Sequence, residues 1–164
     1  MSLGGILTLS LNHAVESLTA SGVHVAVAAG NSGLDSSLFS PAGAPSAVTV
    51  AATDITDTRP SWSNFGEPVK LFAPGVGIIS SWNTDDSVRQ LSILVLDNPL
   101  TTSQATNQIS GTSMATPHVA GLIAVIISVS GNRSPVEMTK VLQDCSLKDY
   151  IRDVRECVYQ NLLR

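Results

Sequence analysis

Gly111-Thr112-Ser113-Met114-Ala115-Thr116-Pro117-His118-Val119-Ala120-Gly121 opens the most apolar stretch of the chain, which runs on to Val129. Wound as a helix, Ser113 to Val129 is apolar on every side, and a helix of that kind has to be buried on every side. Its longest unbroken apolar run, Val119 to Ile127, falls well short of the roughly 20 residues that a membrane span needs. The segment is therefore read as a central core helix, with no membrane partner. Ser113 lies where a loop enters this helix. There a backbone N–H lacks an intrahelical acceptor and carries the partial positive charge of the helix end. A hydroxyl beside such an N–H suits acyl transfer, because the N–H can hold a developing oxyanion. A lone serine at a helix start is more often a cap, so the rest of the sequence has to decide.

Moving outward, Leu11, Val15 and Leu18 share one helical face, with Ser10 as N-cap and Gly22 as the stop. Val23 to Ala29 is short, β-rich and ended by Gly30, as expected of a strand buried in a parallel sheet. Leu3 to Ala29 thus reads as a strand, helix, strand unit. Residues 31–44 are rich in Gly, Ser and Pro and read as loop. Ala47 to Ala52 and Val69 to Phe72 are two more strands, the second closed by Pro74 and Gly75, and the polar 54–66 stretch between them is turn-rich, with Asp54 and Asp57 as turn residues. Ser134, Pro135 and Glu137 spell a helix start with a capping box, and Val141 and Leu142 supply its apolar contacts. No internal repeat is present. The expected fold class is α/β: three layers, α/β/α, around a mostly parallel sheet.

The chain has 164 residues, the length of one domain. Charged residues make up 13%, hydrophobic ones 43%, and the mean hydropathy is +0.24, which excludes intrinsic disorder. The net charge of −4 comes without any basic cluster, so nucleic acid is not an expected partner. Cys145 and Cys157 are too few for a disulfide scaffold and lack a metal-ligand spacing; they can pair with each other or stay free, free thiols being the favoured reading. The apolar N-terminus has no basic segment or cleavage signal and is not read as a signal peptide. Ser87 to Gln108 fits none of these patterns. Its Leu91 to Leu96 run has strand character and would be an aggregation hazard if exposed. The segment is read as a surface insertion or as a retained, translated intron.

The run from Gly111 to Gly121 resembles the active-site serine motif of subtilisin-like serine proteases, the subtilases, and in particular their proteinase K-like branch common in fungi. A second stretch, Ala28-Ala29-Gly30-Asn31-Ser32, resembles the family's A-A-G-N motif. The resemblance implies that the Asn31 side-chain amide joins the Ser113 N–H in an oxyanion hole. Met1-Ser2-Leu3-Gly4-Gly5 is similar to the S-L-G-G strand that pairs with the substrate backbone. On that likeness Ser2, Leu3, Gly4 and Gly5 form one wall of the substrate pocket, and Ala28, Ala29 and Gly30 the other. Ser40-Pro41-Ala42, Trp62-Ser63-Asn64-Phe65-Gly66 and Phe72-Ala73-Pro74-Gly75 match further family landmarks, mostly structural.

The resemblance also defines what to look for beyond these motifs. A serine nucleophile needs a base and a carboxylate to orient it, and in subtilases both precede the S-L-G-G strand. His118 then counts as a structural residue, and His13 and His24 match no motif. The chain is accordingly read as the C-terminal half, residues 1–164, of a subtilase catalytic domain, with Met1 an internal methionine. By itself it is expected to be inactive or poorly soluble. The family likeness implies an extracellular location, an upstream propeptide as partner in the full-length parent, and a protein or peptide substrate. It also implies a calcium ion near Pro45 to Ala47, but Lys70 stands where a ligating aspartate is expected. A cation cannot coordinate calcium, so no metal and no cofactor is expected. Three readings follow: an endopeptidase working through Ser113, a truncated remnant or peptide-binding module using the Leu3 to Gly5 edge, and an α/β domain with coincidental motifs.

Overall fold

A computed structural model describes residues 1–82, 106–153 and 161–162. The elements are β1 (Gly5–Ile6), α1 (Leu9–Ala20), β2 (Ala26–Ala28), β3 (Phe39–Ser40), β4 (Val48–Thr53), β5 (Val69–Pro74), β6 (Ile78–Ser81), β7 (Thr106–Ile109), α2 (Thr112–Ser130), α3 (Pro135–Cys145), β8 (Leu147–Lys148) and β9 (Asn161–Leu162). The main sheet has the order β2-β4-β5-β9-β8 and is parallel except for the β8–β9 pair.

Side chains alternate across a strand, and here the buried ones sort into three clusters, one of them Ala29, Ala51, Val69, Phe72 and Ile151, the other two under helices. Ala26, Val48, Val50, Ala52, Leu71 and Ala73 pack with Ala115, Val119 and Ile123 of α2 and Met138 and Leu142 of α3. Val25 and Val27, on the opposite face of the β2 segment, pack with Val15 of α1, Ala44 and Ala47. Helices thus cover both faces of a mostly parallel sheet, the three-layer α/β architecture expected.

The local signals hold to different degrees. Gly22 does stop α1. Its φ is +92°, and the Gly22 and Val23 N–H groups donate to the Thr19 and Leu18 carbonyls at 3.0 and 3.1 Å, a Schellman ending. The Ser134–Glu137 capping box is formed in both directions. Ser10, however, is inside α1, and the N-cap is Thr8, without a side-chain capping bond. The buried stripe of α1 is Asn12, Val15 and Thr19, not Leu11, Val15 and Leu18. The face of α1 that meets Val25, Val27, Ala44 and Ala47 is centred on Val15, and Asn12 and Thr19 share it by helical spacing.

The first strand also departs from expectation. β1 pairs antiparallel with β3. The Met1 amine donates to the Ala26 carbonyl and the Ala28 N–H donates to the Met1 carbonyl at 3.1 Å, the pattern of a parallel ladder. The chain therefore leaves the main sheet just after Met1, and the 3–6 stretch turns away to meet residues 39–40.

The largest correction concerns α2. Only one stripe is buried, Thr112, Ala115, Thr116, Val119 and Ile123, spaced as one helical face. On the outward side Val125 is 56% and Val129 79% exposed, so the expected all-round burial fails: one layer of sheet can cover only one side of a helix. By length and composition α2 could cross a membrane, but its buried stripe is the centre of the larger core.

Of the anomalous Ser87 to Gln108 segment, residues 106–108 belong to β7, paired with β6. Residues 87–105, with the Leu91 to Leu96 run, lie outside the described residues, as does Cys157. Cys145 is a free, exposed thiol.

Candidate active site

A cleft of about 400 Å³ opens where β2 ends and α2 begins. One wall is Ser2, Leu3, Gly4 and Gly5; the other is Ala28, Ala29, Gly30 and Asn31; Thr112 and Ser113 close the end. The nine residues singled out from the sequence all line this one cleft.

The Asn31 amide is held in one orientation. Its Oδ1 accepts hydrogen bonds from the Thr112 N–H and the Thr112 hydroxyl, both at 2.9 Å. The Thr112 N–H can only donate, so the oxygen must face it and Nδ2 must point the other way. The Thr112 hydroxyl in turn accepts from the Gly30 N–H at 3.2 Å. Neither Asn31 Nδ2 nor the Ser113 N–H has an acceptor among the described residues. Both lie near one point: a Cβ placed on Gly111 would be 3.5 Å from Asn31 Nδ2 and 3.7 Å from the Ser113 nitrogen. Two unspent donors thus lie near one another beside Gly111, with Met114 Sδ 3.6 Å from the same point.

Ser113 is tied to the opposite wall. Pro117 inside α2 has no N–H for the carbonyl four residues back, which is that of Ser113. The Ser2 hydroxyl donates to this carbonyl at 2.9 Å. The Ser113 hydroxyl reaches only the Ser2 carbonyl, at 3.5 Å, and a carbonyl cannot take up a proton. The backbone N–H and C=O of Leu3 have no partner among the described residues, leaving that wall open to another backbone.

No histidine or carboxylate lines this cleft among the described residues. His118 lies one turn into α2, where its Nδ1 pairs with the Met114 carbonyl at 2.8 Å. A carbonyl only accepts, so Nδ1 carries the proton and the ring is fixed on its own helix. His24 pairs through Nε2 with Asn132 Oδ1 at 2.8 Å, and His13 is exposed on α1. Asp54 accepts from the Thr56 N–H, the Thr56 hydroxyl and the Thr58 N–H. These bonds, led by the Thr56 hydroxyl, hold its carboxyl below the ordinary range, as suits a turn residue.

Two residues that complete the site carried weaker signals. Thr112 was quoted only as part of a motif. Asn64 stood among structural landmarks, yet it is fully buried and hydrogen-bonded to the loop that carries Asn31. A buried asparagine must be satisfied by specific partners, and sequence cannot say which.

A second cleft, about 430 Å³, is lined by Pro45, Ser46, Ala47, Glu67, Lys70 and Lys140 among others. It is where the family likeness puts calcium. Two ammonium groups and one carboxylate do not make the oxygen cage that calcium takes. Among the described residues no group of three or more His, Cys, Asp or Glu side chains could hold a metal ion.

Comparison with known proteins agrees with the geometry. The model of the subtilase family matches residues 1–156. The chain is 43% identical over 158 residues to "Subtilisin-like protease 2" of Pseudogymnoascus destructans, covering 96% of this chain and 35% of that protein. It is 41% identical over 154 residues to the "Cuticle-degrading protease" of Metarhizium anisopliae, covering 94% and 35%. A crystal structure of a cold adapted subtilisin-like serine proteinase superposes with a TM-score of 0.84 at 38% identity, covering 99% of this chain and 52% of that one. The chain thus spans about a third of the length of these curated relatives and about half of the solved chain. With a cleft built at the motifs, a fold shared over nearly its whole length and a family match across residues 1–156, this chain belongs to the subtilase family.

Proposed function

We propose that these residues form the transition-state half of a serine endopeptidase site. The Ser113 hydroxyl attacks the carbonyl carbon of a peptide bond and gives its proton to a base. The carbonyl oxygen becomes an oxyanion held by the Ser113 N–H and Asn31 Nδ2. The tetrahedral intermediate collapses to an acyl-enzyme on Ser113 and releases the amine, and water then hydrolyses the ester. Ser2 to Gly5 pairs with the extended substrate, and Ala28 to Gly30 faces it across the cleft. The observation that carries this reading is the pair of unspent donors near Gly111. A preoriented donor stabilises charge that exists only in the transition state.

The base and its carboxylate come from chain beyond these 164 residues, which form the C-terminal half of the domain. The shared fold with a chain about twice as long and the apolar outer face of α2 support this. An extracellular location and an upstream propeptide belong to the same reading. So does Lys70 as an internal replacement for calcium, its ammonium donating to the Pro45–Ala47 carbonyls; melting of the full-length protein is then indifferent to calcium chelation.

A second reading is favoured by one observation: nothing among the described residues can deprotonate Ser113. Alone, the chain is then an inactive, peptide-binding remnant. A fluorophosphonate probe separates the two. Ser113 is labelled in the full-length protein and unlabelled in residues 1–164. In the full-length protein, Asn31→Ala lowers kcat by about 10- to 100-fold, the loss of one hydrogen bond to a charged group. Absence of probe labelling in the full-length protein would sink the protease reading.

A further inference from the structure

Asn31 sits on a loop of small residues, Gly30 to Gly33, which has little of its own to keep it still. What holds that loop is a second one, residues 60–66. Asn64 is the centre of the contact. Its Nδ2 donates to the Ala29 carbonyl at 2.9 Å, and its Oδ1 accepts from the Ser32 N–H at 2.9 Å and the Leu34 N–H at 3.1 Å. Its own N–H donates to the Gly30 carbonyl at 2.9 Å. Asn64 therefore bonds to both neighbours of Asn31, and to Ala29 and Leu34 beyond them.

The fit is close enough to set the backbone. Gly30 has φ +106°, and a Cβ there would stand 2.3 Å from Asn64 Nδ2. The contact continues through the Gly33 N–H to the Trp62 carbonyl at 2.8 Å and the Ser36 N–H to the Phe65 carbonyl at 2.7 Å. The second loop is pinned from behind by Arg59, a buried cation. Its guanidinium donates to the Pro60 and Ser63 carbonyls at 3.1 and 2.6 Å and to the Asp153 carbonyl at 3.1 Å, and lies 5.2 Å from the Phe65 ring centre.

We propose that Asn64 is a positioning residue for the oxyanion hole: by bonding to residues 29, 30, 32 and 34 it sets the distance between Asn31 Nδ2 and the Ser113 N–H. The inference rests on the role proposed for Asn31. Asn64 lines no part of the cleft and touches no substrate; it acts through Asn31.

The test uses the full-length protein that carries these residues, with kcat and KM measured on a peptide substrate. Asn64→Ala lowers kcat about tenfold or more and leaves KM within about twofold, since misplacing a group by about 1 Å costs up to about 10²-fold. In a double-mutant cycle, adding Asn64→Ala to Asn31→Ala changes kcat by less than about twofold, because coupled residues are not additive. A residue of merely structural importance would lower the melting temperature without this coupling. Should Asn64→Ala fail to fold, Asn64→Ser keeps a small buried hydroxyl that can replace only part of the three side-chain bonds; its kcat falls in the same direction. An unchanged kcat in a folded Asn64 variant, or losses that multiply in the cycle, overturns the inference. If Asn31→Ala itself leaves kcat unaltered, the oxyanion reading fails and this inference fails with it. If Asn31→Ala is impaired and Asn64→Ala is not, only the inference fails.

Discussion

At its first turn α2 is held from three directions. Asn31 Oδ1 caps the Thr112 N–H, the Gly75 carbonyl receives the Gly111 N–H, and the Ser2 hydroxyl takes up the carbonyl that Pro117 leaves free. Along its outer side the same helix presents Val125 and Val129 with most of their surface uncovered. The first region has its polar groups paired except the two donors that face the cleft. The second has apolar surface that no described residue covers. The contrast teaches where the described residues satisfy themselves: polar groups are paired at one end of the helix, while apolar surface is left uncovered by them along the other.

The sharpest way to break this comparison is Ser113→Ala in the full-length protein. Peptide hydrolysis should fall by on the order of 10⁴-fold or more, because the nucleophile that forms the acyl-enzyme is removed; a modest fall would remove Ser113 from the chemistry. On the buried side of α2, Met138→Ala opens a cavity under Val119 and should cost about 2–5 kcal/mol in denaturant unfolding. Val125→Glu probes the open side and sharpens the contrast. In residues 1–164 it should shift stability by no more than about 0.5 kcal/mol. In the full-length protein it should cost about 2 kcal/mol or more, because the position becomes covered and a charge there is unpaired. Equal small effects in both would mean that nothing packs on α2.

The α3 cap should respond less. Ser134→Ala should cost about 1 kcal/mol, read by thermal unfolding. The pH dependence is smaller still. Hydrogen bonds from the Ser134 hydroxyl and N–H hold the Glu137 carboxyl below its usual range, and the Thr56 hydroxyl leads the bonds that do the same for Asp54. A depressed folded pKa stabilises fully above the unfolded value and is lost as pH falls through the folded one. Both contributions should therefore be intact at neutral pH and disappear only in acid. Carboxyl titration by NMR checks the sign; a midpoint above the ordinary carboxylate range would contradict it.

Particular residues show how far the sequence could be read. The Gly22 stop and the Ser134–Glu137 box were legible because each is a contact within a few residues. The stripe of α1 differs from the expected one because hydrophobicity marks Leu11 and Leu18, whereas the face on which Val15 meets Val25 and Val27 carries Asn12 and Thr19. The burial of α2 was overstated because composition records that a helix is apolar, not whether both of its sides find a neighbour. In the site, Ser113 and Asn31 were legible from their motifs, while Asn64 was not, since its partners are about 30 residues away in sequence.

The sequence by itself determined the alternation of helices and buried strands, the family motifs and the identity of the residues at the cleft. These follow from periodicity, capping chemistry and residue type, all properties of short segments. Only the tertiary structure decided that the Asn31 amide turns its oxygen to Thr112 and its Nδ2 away, that the Ser2 hydroxyl answers Pro117, and that Asn64 braces the loop carrying Asn31. Those arrangements depend on hydrogen bonds whose donors and acceptors lie far apart along the chain, and packing alone chooses among the possible partners.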